Sequence, residues 1–83
     1  MFSNPLFMYV TCACQEQAST IARILLEKKL IACANIFPIT SIYAWQEKVI
    51  QDTEVVLLLK TYDEYQQEIG KEVALNHSYS VPC

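Results

Sequence analysis

The stretch that most constrains this chain is residues 32–60, "ACANIFPITSIYAWQEKVIQDTEVVLLLK", where two β-rich runs flank the turn-forming "QEK". Ala32 to Trp45 alternates imperfectly between apolar and polar residues, the period of a strand. Pro38 has no ladder N–H to give, so the strand either bulges there or leaves that side as a free edge. Val49 to Lys60 closes on the continuous apolar run "EVVLLLK", which reads as a strand covered on both faces by its end. The first of these strands spans about 45 Å, whereas a helix of about fifteen residues covers about 22 Å. Half the hairpin therefore outruns any helix laid on it. Its outer half carries Ile42, Tyr43, Ala44, Trp45, Val49 and Ile50, more apolar area than a soluble monomer leaves wet. Neighbouring copies are expected to cover the hairpin tips in a homo-oligomer.

The rest of the chain supplies elements to back that hairpin. "LFMYVT", Leu6 to Thr11, is too short for a helix and rich enough in aromatic and β-branched residues for a buried strand. From Gln15 to Lys29 the apolar positions Ala18, Ile21, Ala22, Leu25 and Leu26 fall on one helical face, and Lys28 and Lys29 suit its C-terminus. Thr61 and Glu64 in "TYDE" have the spacing of a capping box. Tyr62, Tyr65, Ile69 and Val73 then mark a second helical face as far as Leu75. The order is βαββα, with "YSVP" as the entrance to a further strand. That is the α+β, ferredoxin-like split βαβ plan, an antiparallel sheet backed by two helices.

At 83 residues the chain is one domain. Nine Asp and Glu against six Lys and Arg give a net charge of −3. Nucleic acids and anionic membranes, which call for a basic stripe, are poor partners for it. No signal peptide or membrane span is legible, and the cytoplasm is the expected compartment. Four cysteines without a secreted context read as reduced thiols, available for packing, metal ligation or redox chemistry.

Cys12 and Cys14, in "CAC", fall where the first strand hands over to the first helix. A helix N-terminus favours thiolates, and soft ligands there suit Cu(I) or Zn, although small residues in a loop account for the same spacing. Cys33 opens the second strand, where a thiol packs as a small hydrophobe or serves as a ligand. His77, the only histidine, follows the second helix and could cap it or bind a metal. The carboxylates Glu47, Asp52 and Glu54 read as a solvated tip. No Gly-rich phosphate loop, Ser-His-Asp set or His-containing metal motif is present, so an enzyme is not expected.

"LIACANIFP", then "SIYAW" with Lys48, then "EVVLLLKT", and the frame His77, Tyr79, Val81 and Pro82 together resemble the CutA family of divalent-cation tolerance proteins. The resemblance covers about Leu6 to Pro82. It implies a threefold trimer of ferredoxin-like subunits and a cytoplasmic, non-enzymatic role in tolerance of copper and other divalent metals. The trimer is also similar to the PII signalling proteins, which makes small-ligand sensing the alternative. A C-x-C redox protein is a third reading.

The family's copper ligands, a cysteine ending the first strand and a histidine pair, are matched here only in part. Val10 and Asn76 occupy two of those places, and His77 remains. Cys12, two residues along the same strand, is the substitute thiol, so His77, Cys12 and Cys33 are the candidate metal ligands. At the tip, Glu47 stands where the family has glycine, so the turn must avoid positive φ or accept strain. Ser78 and Ser80 likewise replace Pro and Glu. The resemblance also implies a domain incomplete at its C-terminus, with the edge of "LFMYVT" bare where a fourth strand would pair in the order 4-1-3-2.

Overall fold

A computed structural model describes residues 3–77. The strand entrance expected at "YSVP", with Ser78, Tyr79, Ser80, Val81, Pro82 and Cys83, lies outside the described residues. The elements are β1 (Pro5–Cys12), α1 (Gln15–Glu27), β2 (Cys33–Trp45), β3 (Lys48–Tyr62), a 3₁₀ turn (Asp63–Tyr65) and α2 (Gln66–Asn76). The strands form one sheet in the order β1-β3-β2, antiparallel at both contacts. This is the βαββα, ferredoxin-like plan expected from the sequence.

The phase of the ladder assigns the residues of β3 between Val55 and Tyr62 to one neighbour or the other. The Asp63 N–H donates to the Asn4 carbonyl at 2.9 Å, one step beyond the rung Pro5↔Tyr62. From Val55 onward, odd-numbered residues of β3 therefore exchange hydrogen bonds with even-numbered residues of β1, and even-numbered residues of β3 serve β2. Pro38 sits opposite Val55, whose own groups are spent on β1. Its missing N–H falls on the outer side, and the register runs through it unbroken. Of the two readings for Pro38, the free edge holds and the bulge does not.

Side chains alternate across the sheet with period two. Val10, Cys12, Leu57 and Leu59 point to one face and are buried with Ala18, Ile21, Ala22 and Leu25 of α1 and Ile69 and Val73 of α2. Each of the larger aliphatic side chains contributes about 1.5–3 kcal/mol by leaving water. Leu26, expected on the buried stripe of α1, lies at its rim and is exposed. The opposite face carries Phe7 and Tyr9, exposed, while Thr11 and Val56 beside them are buried.

The expected helix limits shift for local reasons. α1 stops at Glu27 in a Schellman turn, with Leu30 N–H bonded to Leu25 O and Lys29 N–H to Leu26 O, both at 3.0 Å. Lys29 takes φ 59 there, a place glycine usually fills. The capping box is not formed. Thr61 remains in β3 and its buried hydroxyl donates to Leu30 O at 2.5 Å, while Glu64 accepts from the Ser3 hydroxyl. The chain passes through the 3₁₀ turn before α2 begins without a side-chain cap.

Beyond Pro38 and Val55 the hairpin leaves the helices behind, and the described chain measures 48 × 25 × 21 Å. None of residues 40–53 is buried. The tip closes through Gln46 at φ 50 and Glu47 at φ 63, so the turn accepts left-handed backbone at two residues that are neither Gly nor Asn. Such a residue costs about 1–2 kcal/mol. Glu47→Gly should therefore raise the urea midpoint, by about 1 kcal/mol in stability after glycine's own entropic cost. An unchanged or lower midpoint would show that the tip carries no relievable strain.

Candidate functional site

One end of the sheet gathers the groups with chemical potential. β1 ends at Cys12, and Cys14 is the N-cap of α1, extended at φ −151, ψ 164, with no side-chain cap bond. The Ala13 N–H makes a long bond of 3.4 Å to Gln17 Oε1, and the helix starts with Ala18 N–H on Cys14 O. From the other direction α2 finishes at Asn76, whose amide nitrogen donates to Glu72 O at 2.8 Å.

His77 then turns extended, at φ −90, ψ 137, and sets its ring against β1. Its Nε2 lies 2.5 Å from the Thr11 carbonyl. A carbonyl only accepts, so Nε2 carries a proton and donates it to this contact. The contact is possible because Thr11, as an odd-numbered residue of β1, directs its carbonyl away from β3. His77 is the C-cap residue of α2, and its ring binds the edge of the sheet. The Thr11 hydroxyl is buried and has no hydrogen-bond partner among the described residues, which by itself costs about 1–3 kcal/mol. Sequence reading passed over Thr11, whose only signal is its phase in the strand.

Of the three candidate ligands, the structure brings two to this end. Cys12 belongs to the peptide unit whose carbonyl His77 holds, and its thiol is fully buried. Burial, with a smaller contribution from Cys14 nearby, pushes that thiol above its ordinary value of 9.0. Cys33 is elsewhere. It pairs with Lys60, five rungs from Val55, the partner of Cys12. At roughly 3.4 Å per rung that is an offset of about 17 Å along the strands, with β3 between the two cysteines, and on the opposite face. It is half-buried beside Lys60 and not in the core cluster.

Among the described residues no group of three or more His, Cys, Asp or Glu side chains is placed to hold a metal. Cys12 and His77 thus offer at most a pair of donors, one reached through a packed core and the other already bonded through Nε2. No helix among the described residues is long and apolar enough to cross a membrane.

A family model described as "CutA1 divalent ion tolerance protein" matches residues 6–83. The divalent-cation tolerance protein CutA of Archaeoglobus fulgidus is 47% identical over 77 residues, 93% of this chain and 76% of that protein. Its counterpart from Thermus thermophilus is 43% identical over 74 residues, 88% of this chain and 72% of that one. Among solved structures, CutA1 from Ehrlichia chaffeensis superposes with a TM-score of 0.91 at 39% identity, covering all of this chain and 78% of that one. The Archaeoglobus fulgidus structure, described as a periplasmic divalent cation tolerance protein, gives 0.89 at 45% identity, covering 96% of this chain and 78% of that one.

The raised Cys12 thiol makes a prediction with a definite sign. The unfolded chain loses that proton first, so its stabilising effect is complete well below the ordinary value of 9.0 and fades as pH rises from there toward the folded value. Urea midpoints taken between about pH 7.5 and 10 should fall less steeply for Cys12→Ala than for the native chain. Parallel limbs would place the alkaline sensitivity on another group.

Proposed function

The chain belongs to the CutA1 divalent ion tolerance family, and from that premise we propose that it is a non-enzymatic, homotrimeric, copper-binding protein of metal tolerance. The observation that carries the metal part is the meeting of His77 with the end of β1 beside Cys12. It is where an imidazole and a thiol-bearing residue converge among the described residues. The Nε2–H bond to a carbonyl orients the ring, as the second partner of a ligating histidine usually does, and Nδ1 is the ring nitrogen that would meet a metal. Copper suits a thiol and an imidazole, and so few donors make the site weak. Opening it requires Cys12 to leave its packed position.

The trimer is supported by the hairpin. Ile42 and Val49 are exposed on one face, the latter at 80%, and Tyr43 and Trp45 on the other, the latter at 60%. A two-fold contact covers one patch with itself, whereas two different apolar faces call for two different neighbours. A head-to-tail ring provides them, and three subunits make the smallest one. A cytoplasmic location is part of this reading, supported by free thiols at Cys12, Cys14 and Cys33. The alternative, a PII-like sensor, has in its favour a surface cleft of about 270 Å³ lined in part by Lys29, Tyr62 and Glu64. Saturable binding of a nucleotide or a carboxylate metabolite, without copper binding, would favour it.

In an anaerobic copper titration of the full chain, His77→Ala and Cys12→Ala should each lower the affinity several-fold. Unchanged affinity in both variants would move the site elsewhere, and a loss with Cys33→Ala would point to a site shared between subunits. For assembly, Trp45→Ala should shift light scattering toward monomer at micromolar concentration while the subunit still unfolds cooperatively. A native chain that is a stable monomer under those conditions would sink the ring.

A further inference from the structure

Cys12 and Cys14 are two residues apart yet sit in opposite surroundings. Cys12 is fully buried on the last rung of β1, opposite Val55, while the N-cap thiol of Cys14 is exposed. Beside Cys14 lies an open cleft of about 300 Å³ lined by Glu16, Gln17, Thr20 and Asn76. One thiol can be reached by a small molecule and the other cannot. An accessible thiol with a sheltered neighbour can exchange with a disulfide in a fixed order. In an extended run, side chains at i and i+2 leave one face roughly 6.6 Å apart, whereas a disulfide needs Cβ atoms about 3.5–4.5 Å apart. The chain must bend to close the gap. Ala13 and Cys14, between β1 and α1, belong to neither element.

We propose that Cys14 and Cys12 form a thiol–disulfide relay that reduces small neutral or cationic disulfides. The Cys14 thiolate attacks one sulfur of the disulfide R–S–S–R, forming a Cys14–S–R bond, and the first thiolate RS⁻ leaves and takes a proton from water. Cys12 then gives its proton to solvent and attacks Cys14 Sγ, which breaks the Cys14–S–R bond and releases the second RS⁻. Two protein thiols are oxidised to one disulfide, and the reagent is reduced to two thiols. The amide and hydroxyl groups of Gln17, Thr20 and Asn76 suit a polar reagent. Glu16 and the net charge of −3 disfavour an anionic one. Closing the bridge draws Cys12 off its rung, next to the carbonyl that His77 binds, so oxidation should reach that contact too. The proposal stands apart from the metal reading, since neither step involves a metal.

The test uses the full chain carrying Cys33→Ser and Cys83→Ser, treated with hydroxyethyl disulfide or with glutathione disulfide and followed by intact mass. With Cys12 and Cys14 present, the product should be two hydrogens lighter and retain no half of the reagent. Cys12→Ala and Cys12→Ser should each trap one half on Cys14, with two variants guarding against misfolding of either. Cys14→Ser should react at least tenfold more slowly, and glutathione disulfide several-fold more slowly than the neutral reagent. A half-reagent that persists with Cys12 in place, an undiminished rate in Cys14→Ser, or equal rates for the two reagents would overturn the proposal.

Discussion

Everything in this fold hangs on β3 being hydrogen-bonded on both sides. From Val55 onward its odd-numbered residues bond to β1 and its even-numbered residues to β2, so its register positions both neighbours at once. The same alternation decides which side chains meet the helices. Leu57 and Leu59 enter the core while Leu58 and Lys60 are held on the other face. A slip of one residue would exchange those sets and leave α1 and α2 with nothing apolar to cover. The helices are consequences of that sheet, since α1 is short and its N-cap makes no side-chain bond.

Much of this was legible from pattern. The stripe Ala18, Ile21, Ala22 and Leu25 announces α1, and the two runs around "QEK" announce the hairpin, because burial imposes a period on local sequence. What the sequence could not supply is set by contacts between distant residues. Thr61 and Glu64 have the spacing of a capping box, but the Leu30 carbonyl takes the Thr61 hydroxyl and Ser3 takes Glu64, so tertiary partners override the local motif. Pro38 allowed two readings until the phase of β3 showed which side its missing N–H faces.

The candidate site divides the same way. Cys12 and Cys33 look equivalent as thiols in strands, yet the register puts them on opposite faces and five rungs apart. His77 meets Thr11 across 66 residues of sequence, a contact that no local signal announces. The family resemblance pointed to His77 without saying what its ring would touch. The bond to a strand carbonyl ties the end of α2 to the edge of β1. Movement at either is therefore felt at the other.

The bare stretch of hairpin beyond Pro38 and Val55 separates two properties that are entangled in most small domains. Nothing buried lies among residues 40–53, so removing or adding two successive pairs of facing residues there changes reach without touching the packing around Leu57. Arm length can therefore drift in lineages under selection for a wider or narrower grip on neighbours, in steps of two rungs that keep each face in phase, with the folding unit left as it was. A single unpaired insertion has no such freedom. It would introduce a bulge and turn the arm's two faces out of step with the core.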